Sequence, residues 1–123
     1  MVRDGSVIGE GWHVRAGEAH AEVIALRHID ARSATLYVTL EPCCTHGRTP
    51  PCTDAIIEAG IRRVVIAEVD PNPLHNGRAF DQLLNAKIAL RVGLLSKEAS
   101  ALNEDFNARM RRAVAAPPKP MRW

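Results

Sequence analysis

Four side chains in the first half of the chain have the types and spacing of a metal-dependent hydrolase. His20 is followed two residues later by Glu22, and Cys43 and Cys52, nine positions apart, each follow a proline. Catalytic zinc sites use three protein ligands and keep a fourth position for water, whose pKa the metal lowers to about 7. We therefore predict that His20, Cys43 and Cys52 bind Zn²⁺, and that Glu22 moves the proton of the bound water.

The same four residues are also compatible with roles outside catalysis. Cysteines are often buried thiols, an isolated histidine often has a structural role, and a zinc site can persist without activity. The combination of His-x-Glu with two Pro-Cys steps is nevertheless similar to the pattern of zinc nucleobase deaminases. In that pattern two residues separate the cysteines, whereas eight separate Cys43 from Cys52, which indicates a particular branch of the superfamily.

The hydrophobic pattern predicts the elements that position these four residues. Residues 19–28 are typical of a helix with His20 and Glu22 in its first turn, and Cys52 or Thr53 opens a second helix that ends at Gly60. Residues 34–40 alternate like a strand and lead directly to Cys43, so this ligand follows the carboxyl end of a strand, a usual position for binding sites in α/β sheets. Both helix starts are expected to point at one spot.

The remaining segments complete an α/β pattern. We predict a strand over 6–14 after an Asp4-Gly5 turn, strands over 63–69 and 88–92, a helix over 77–86, and a final helix from Ser96. A helix between two strands makes their pairing parallel. The expected fold class is therefore a three-layer α/β fold, with a central mixed sheet, helices on both faces and parallel last strands. The apolar face of the final helix is expected to comprise Leu95, Ala99, Leu102, Phe106 and Met110.

Composition limits the classes of protein that fit. A chain of 123 residues with 46% hydrophobic residues fits one compact domain, predicted over residues 1–112, with 113–123 as a linker-like tail. A net charge of +2 gives no indication of a nucleic-acid partner, and no apolar run is long enough for a membrane span. The first residues lack the pattern of a secretory signal, so the cytoplasm is the expected location.

The chain resembles the deaminase domain of riboflavin biosynthesis, which has the cytidine-deaminase-like fold and is usually fused to a reductase. The resemblance runs over about residues 2–112 and is carried by the motifs at 20–23, 36–44, 47–57, 70–73 and 102–103. It implies zinc-dependent hydrolysis of the 2-amino group of 2,5-diamino-6-(5-phosphoribosylamino)pyrimidin-4(3H)-one, giving 5-amino-6-(5-phosphoribosylamino)uracil and ammonia. It also implies either a homo-oligomer or association with a reductase domain.

The resemblance extends to individual residues. It implies that His20, Cys43 and Cys52 hold the zinc, that Glu22 is the proton shuttle, and that Cys44 is not a ligand. For substrate contact by Arg48 there is also a physical reason, because a guanidinium can bind the substrate's phosphate through two hydrogen bonds. Glu41 is expected to support the loop from Cys43 to Cys52, called the ligand loop below. His28 and His75 are expected at the surface. The residues implied to contact substrate are His13, Thr45, His46, Arg48, Asp70 and Asn72, with no choice made between Thr45 and His46.

One departure from the family concerns the start of the chain. Family members carry a helix and a strand ahead of this point, and their absence is expected to leave a gap between the strands predicted at 6–14 and 34–40. An earlier start in the natural protein, a second segment that fills the gap, or a decayed copy would each explain it. A deaminase for guanine, cytosine or tRNA adenosine, and an inactive zinc-binding remnant, are the alternative functions.

Overall fold

The computed structural model describes residues 1–47, 49–73 and 75–115, which form strands and helices in an alternating order. The strands are β1 (Val2–Arg3), β2 (Ser6–Val7), β3 (Thr35–Val38), β4 (Arg63–Ile66) and β5 (Ala89–Val92). The helices are α1 (Ala21–Leu26), α2 (Cys52–Glu58), α3 (Arg78–Asn85), α4 (Ser96–Leu102) and α5 (Glu104–Ala115).

The strands form one mixed sheet in the order β2-β1-β3-β4-β5. β1 runs antiparallel to both of its neighbours, whereas β3, β4 and β5 are parallel, with Leu36 opposite Val64 and Val64 opposite Leu90. The parallel last strands confirm the prediction from the helix between them. Because the strands are parallel, β3 and β4 both end at the same edge of the sheet, where the loops that carry Cys43 and Asp70 begin.

β4 is the centre of the core. Val64 and Ile66 point to one face and Val65 to the other, and all three are buried. The mixed sheet with parallel last strands and helices packed around it confirms the predicted α/β fold. The buried hydrophobic cluster consists of Met1, Ala25, Ala31, Ala34, Leu36, Ile56, Ile61, Val64, Ile66, Leu83 and Ile88.

The strand predicted over 6–14 is wrong beyond Val7, where β2 ends. The reason is the close approach of the following segment to α1. A Cβ atom at Gly9 would lie 2.5 Å from the carbonyl oxygen of Ala25, and one at Gly11 would lie 2.6 Å from that of Ala21. These two glycines let the chain pass directly across the helix instead of continuing along the sheet.

The gap expected beside β3 is partly occupied. β1 lies in this position, formed through the predicted Asp4-Gly5 turn, and its Val2 pairs with Thr35. Among the described strands, Thr35 is the one residue of β3 with a partner on this side. The Tyr37 side chain, further along β3, is 54% exposed.

The single final helix is also a wrong prediction, because the helix is interrupted at Asn103. The side-chain amide of Asn103 donates to the Thr39 carbonyl (3.3 Å) and to the Glu68 carboxylate (2.9 Å), and that of Asn107 donates to Glu68 (2.8 Å). These contacts turn Asn107 toward the core, where it is buried. Leu95 and Leu102, predicted to face the core, are 64% and 76% exposed.

The end of the described chain also differs from the predicted boundary. α5 continues through residues 113–115, which were predicted to belong to the tail, and residues 116–123 lie outside the described residues. Within the described part of the chain, no helix has both the length and the apolar character needed to cross a bilayer.

Candidate metal centre

His20 is placed by the start of α1. It is the residue before Ala21, its backbone is extended (φ −70°, ψ 161°), and its carbonyl accepts the first helical hydrogen bond from Ile24 (3.2 Å). The helix is shorter than predicted, at six residues, but its first turn does contain Glu22. Unpaired N–H groups at a helix start make the local field positive, which suits a carboxylate there.

The two cysteines come from the loop after β3 and from the start of α2. Cys52 is the first residue of α2 and is buried. Its backbone N–H donates to the Cys43 sulfur (3.1 Å), and the Thr53 N–H donates to the Cys43 carbonyl (3.1 Å). The positive end of α2 therefore lies against the sulfur of Cys43.

The ligand atoms of His20, Cys43 and Cys52 converge. All three lie within 4.8 Å of one another, with the His20 Nδ1 atom 3.2 Å from the Cys52 sulfur and 3.4 Å from the Cys43 sulfur. Zn–N and Zn–S bonds in tetrahedral geometry separate a nitrogen and a sulfur ligand by about 3.5 Å. One nitrogen and two sulfurs at these separations fit Zn²⁺. Cys44, next to Cys43, is not part of this cluster.

The two thiols share one proton. The hydrogen bond from Cys52, with help from the nearby His20, lowers the pKa of Cys43 to about 5. The same hydrogen bond, together with burial and the charge of Glu22, raises the pKa of Cys52. Ionising both thiols at once therefore requires an additional positive charge close to both sulfurs, and a divalent cation provides it.

The Glu22 carboxyl group lies beside the ligands. Burial raises the pKa of Glu22, because desolvation disfavours the charged form. A carboxyl group whose pKa is moved toward neutrality can both take and return a proton. The position and environment of Glu22 fit the predicted proton shuttle.

His13 is the predicted substrate residue that the structure places against the metal cluster. Its ring meets the His20 ring edge to face, with centroids 5.1 Å apart, and its Nδ1 atom lies 3.1 Å from the Ala19 carbonyl oxygen. The ring is otherwise exposed. The exposed His13 ring therefore lies beside His20, one of the three clustered residues.

The remaining predicted substrate residues lie on two loops. Thr45 and His46 lie on the ligand loop, where His46 is exposed and its Nδ1 atom contacts the Gly47 carbonyl oxygen (3.2 Å). Asp70 and Asn72 follow β4, and the Asp70 carboxylate accepts the Asn72 backbone N–H (2.8 Å). Arg48 lies outside the described residues.

Two contacts near the site were not expected from the sequence. His75, predicted at the surface, is half-buried, with its Nδ1 atom 3.7 Å from the Asp70 carboxylate. Gln82 of α3 donates to the Cys44 carbonyl (3.3 Å) and accepts from the buried Thr53 hydroxyl (2.7 Å), so it connects the residues next to both ligand cysteines. Nothing in the sequence around Gln82 marks this role, because its two partners are distant in the chain.

Comparison with known proteins agrees with this geometry. Residues 1–68 match the family described as the cytidine and deoxycytidylate deaminase zinc-binding region. The riboflavin biosynthesis protein RibD of Aquifex aeolicus is 56% identical over 108 residues, which are 86% of this chain and 30% of that protein. This chain thus spans about a third of the length of such relatives.

A shorter relative is covered more completely. The diaminohydroxyphosphoribosylamino-pyrimidine deaminase of Buchnera aphidicola subsp. Schizaphis graminum is 45% identical over 93% of this chain and 79% of its own length. A crystal structure from Thermotoga maritima, a diaminohydroxyphosphoribosylaminopyrimidine deaminase/5-amino-6-(5-phosphoribosylamino)uracil reductase, superposes with a TM-score of 0.83 at 44% identity, covering 91% of this chain and 33% of that one. The chain therefore belongs to the cytidine and deoxycytidylate deaminase zinc-binding family, in the branch of the riboflavin-biosynthesis deaminases.

Proposed function

We propose that this chain catalyses hydrolytic removal of the 2-amino group of 2,5-diamino-6-(5-phosphoribosylamino)pyrimidin-4(3H)-one, releasing ammonia and 5-amino-6-(5-phosphoribosylamino)uracil. The observation that carries the proposal is the convergence of the His20, Cys43 and Cys52 ligand atoms beside the half-buried Glu22. The deaminase named in the Buchnera relative supports the choice of substrate.

In this proposal His20, Cys43 and Cys52 hold Zn²⁺, which supplies the Lewis acidity that makes a water molecule nucleophilic at neutral pH. Glu22 takes a proton from the attacking water and passes it to the amino nitrogen at C2 of the ring. Water adds to C2, the bond from C2 to the amino nitrogen breaks, and ammonia leaves with the transferred proton. The reaction needs no covalent intermediate with the enzyme.

The remaining predicted residues would bind and orient the substrate. His13 would contact the pyrimidine ring, which its position against His20 supports. Asp70 and Asn72 follow β4, and Thr45 and His46 lie on the ligand loop. Arg48, on the same loop, would bind the phosphate. The Thermotoga structure is also named as a 5-amino-6-(5-phosphoribosylamino)uracil reductase, which supports a reductase domain as the partner that consumes the product.

A substrate panel tests the proposal. Purified zinc-loaded protein is incubated separately with the diaminopyrimidinone phosphate, guanine, cytosine and a tRNA substrate, and ammonia release is measured. We expect release from the first compound alone. Release from guanine, cytosine or the tRNA instead would show a deaminase of another specificity. Zinc bound near one per chain without ammonia from any compound would show a non-catalytic zinc domain.

A further inference from the structure

Glu41 is a buried carboxylate that the proposed reaction does not use. It lies two residues before the ligand Cys43 and is only 5% exposed. Its backbone N–H donates to the Glu68 carbonyl (2.8 Å), which joins the start of the ligand loop to the segment that follows β4. A buried carboxylate needs donors that balance its charge.

Backbone amides from two other segments donate to this carboxylate. One oxygen accepts the N–H of Asp70 (2.9 Å) and of Gly77 (3.2 Å), and the other accepts the N–H of Ala79 (3.3 Å). Gly77 and Ala79 lie at the start of α3, where N–H groups have no partner within the helix. The Asp70 amide belongs to the turn that also carries Asn72.

We propose that Glu41 is a positioning residue that sets the turn with Asp70 and Asn72 relative to the metal centre. The carboxylate joins the ligand loop, this turn and α3 at one buried point. α3 in turn holds the Cys44 carbonyl and the Thr53 hydroxyl through Gln82. The substrate-binding turn therefore cannot shift without disturbing contacts that begin two residues from a metal ligand.

This role of Glu41 extends the proposed function. It rests on that function in one respect, the predicted effect on substrate affinity. A substrate bound between the metal and the turn is sensitive to the distance between them. Replacing the carboxylate by an amide of the same shape removes the charge and places N–H groups opposite N–H donors. The turn then loses its fixed position, whereas the three metal ligands keep theirs.

The experiment compares Glu41→Gln with Glu58→Gln, which makes the same chemical change at an exposed position of α2. We expect Glu41→Gln to raise KM for the diaminopyrimidinone phosphate about tenfold, with zinc near one per chain and kcat within about threefold of wild type. Amide hydrogen exchange at residues 70, 77 and 79 should become about tenfold faster. Glu58→Gln should change none of these quantities.

A second variant covers the case in which Glu41→Gln does not fold. The Asn76 side chain donates to the Asp70 carbonyl (3.1 Å) in an exposed hydrogen bond, so Asn76→Ala removes another contact that holds the same turn. It should also raise KM with zinc content unchanged.

In a folded Glu41→Gln protein, an unchanged KM or a loss of zinc would overturn this role of Glu41. If Glu41→Gln is unfolded, an unchanged KM in Asn76→Ala would overturn it. If the wild type releases no ammonia, the proposed function fails, and the exchange rates at residues 70, 77 and 79 still decide whether Glu41 holds the turn.

Discussion

At the scale of single residues, the chemistry of the centre depends on the unequal acidity of two neighbouring thiols. Cys43 is stabilised as a thiolate by the Cys52 thiol and by the Cys52 backbone N–H, whereas Cys52 keeps its proton because a second negative charge would lie next to the first. A metal that binds both sulfurs must displace that remaining proton.

This charge distribution predicts a pH-dependent zinc affinity. The pKa of Cys43 is about 5, so at pH 7 this sulfur is already ionised, and zinc binding should release about one proton, from Cys52. The affinity should therefore rise with pH around neutrality and fall more steeply below about pH 5, where Cys43 must also lose a proton. Calorimetry in buffers of different ionisation enthalpy measures the released protons. Release of none at neutral pH would contradict the shared proton.

The adjacent cysteines provide a matched pair of variants. Cys43→Ser removes a ligand sulfur, whereas Cys44→Ser changes a side chain outside the ligand cluster. Disturbing residues around a metal ligand commonly costs about 10- to 100-fold in affinity, so loss of a ligand should cost at least about 100-fold. We expect Cys43→Ser to lose zinc on dialysis and Cys44→Ser to keep about one zinc per chain. Equal zinc content in both would contradict the assigned ligands.

At the scale of elements, α3 ends in an unusual way. Lys87 has a left-handed backbone (φ 65°), its N–H donates to the Leu84 carbonyl (2.9 Å), and the Ile88 N–H donates to the Leu83 carbonyl (3.0 Å). This pair of hydrogen bonds is the Schellman motif, whose left-handed position glycine fills with least strain. α2 ends with Gly60 at its corresponding position (φ 72°).

The difference between these two helix ends predicts that Lys87→Gly stabilises the protein. It removes the strain of a side chain in the left-handed region, and we expect the free energy of unfolding to rise by about 0.5–1 kcal/mol in urea denaturation. Gly60→Ala is the reverse change at the matching position and should lower it by about 1 kcal/mol. A loss of stability in Lys87→Gly would show that the lysine side chain makes a compensating contact.

The elements also show which features the sequence could predict. The cluster of His20, Cys43 and Cys52 comes from two short motifs whose helix and strand boundaries are marked locally, so its convergence could be predicted from the sequence. The break at Asn103 depends on Glu68, 35 residues away, and the partners of Glu41 are backbone amides 29 to 38 residues away. Groups this far apart in the sequence leave no local pattern, so neither the helix break nor the particular partners of Glu41 could be predicted.

At the scale of the whole molecule, one sheet edge carries most of the residues that form the metal centre or are proposed to bind substrate. β3 and β4 end there side by side, and the loops that follow them carry Cys43 and Asp70, while α1 and α2 bring His20 and Cys52 to the same place. The chain spans 30% of the Aquifex relative. A reductase partner, the oligomeric state and the cytoplasmic location stay predictions.

The decisive measurement is the rate of ammonia release by zinc-loaded wild-type protein and by Glu22→Gln, with zinc content determined in both. The amide keeps the shape of the carboxyl group and cannot shuttle a proton. We expect the wild type to deaminate the diaminopyrimidinone phosphate and Glu22→Gln to be at least about 100-fold slower in kcat with its zinc retained. Comparable rates in the two proteins would contradict proton transfer by Glu22 at this centre.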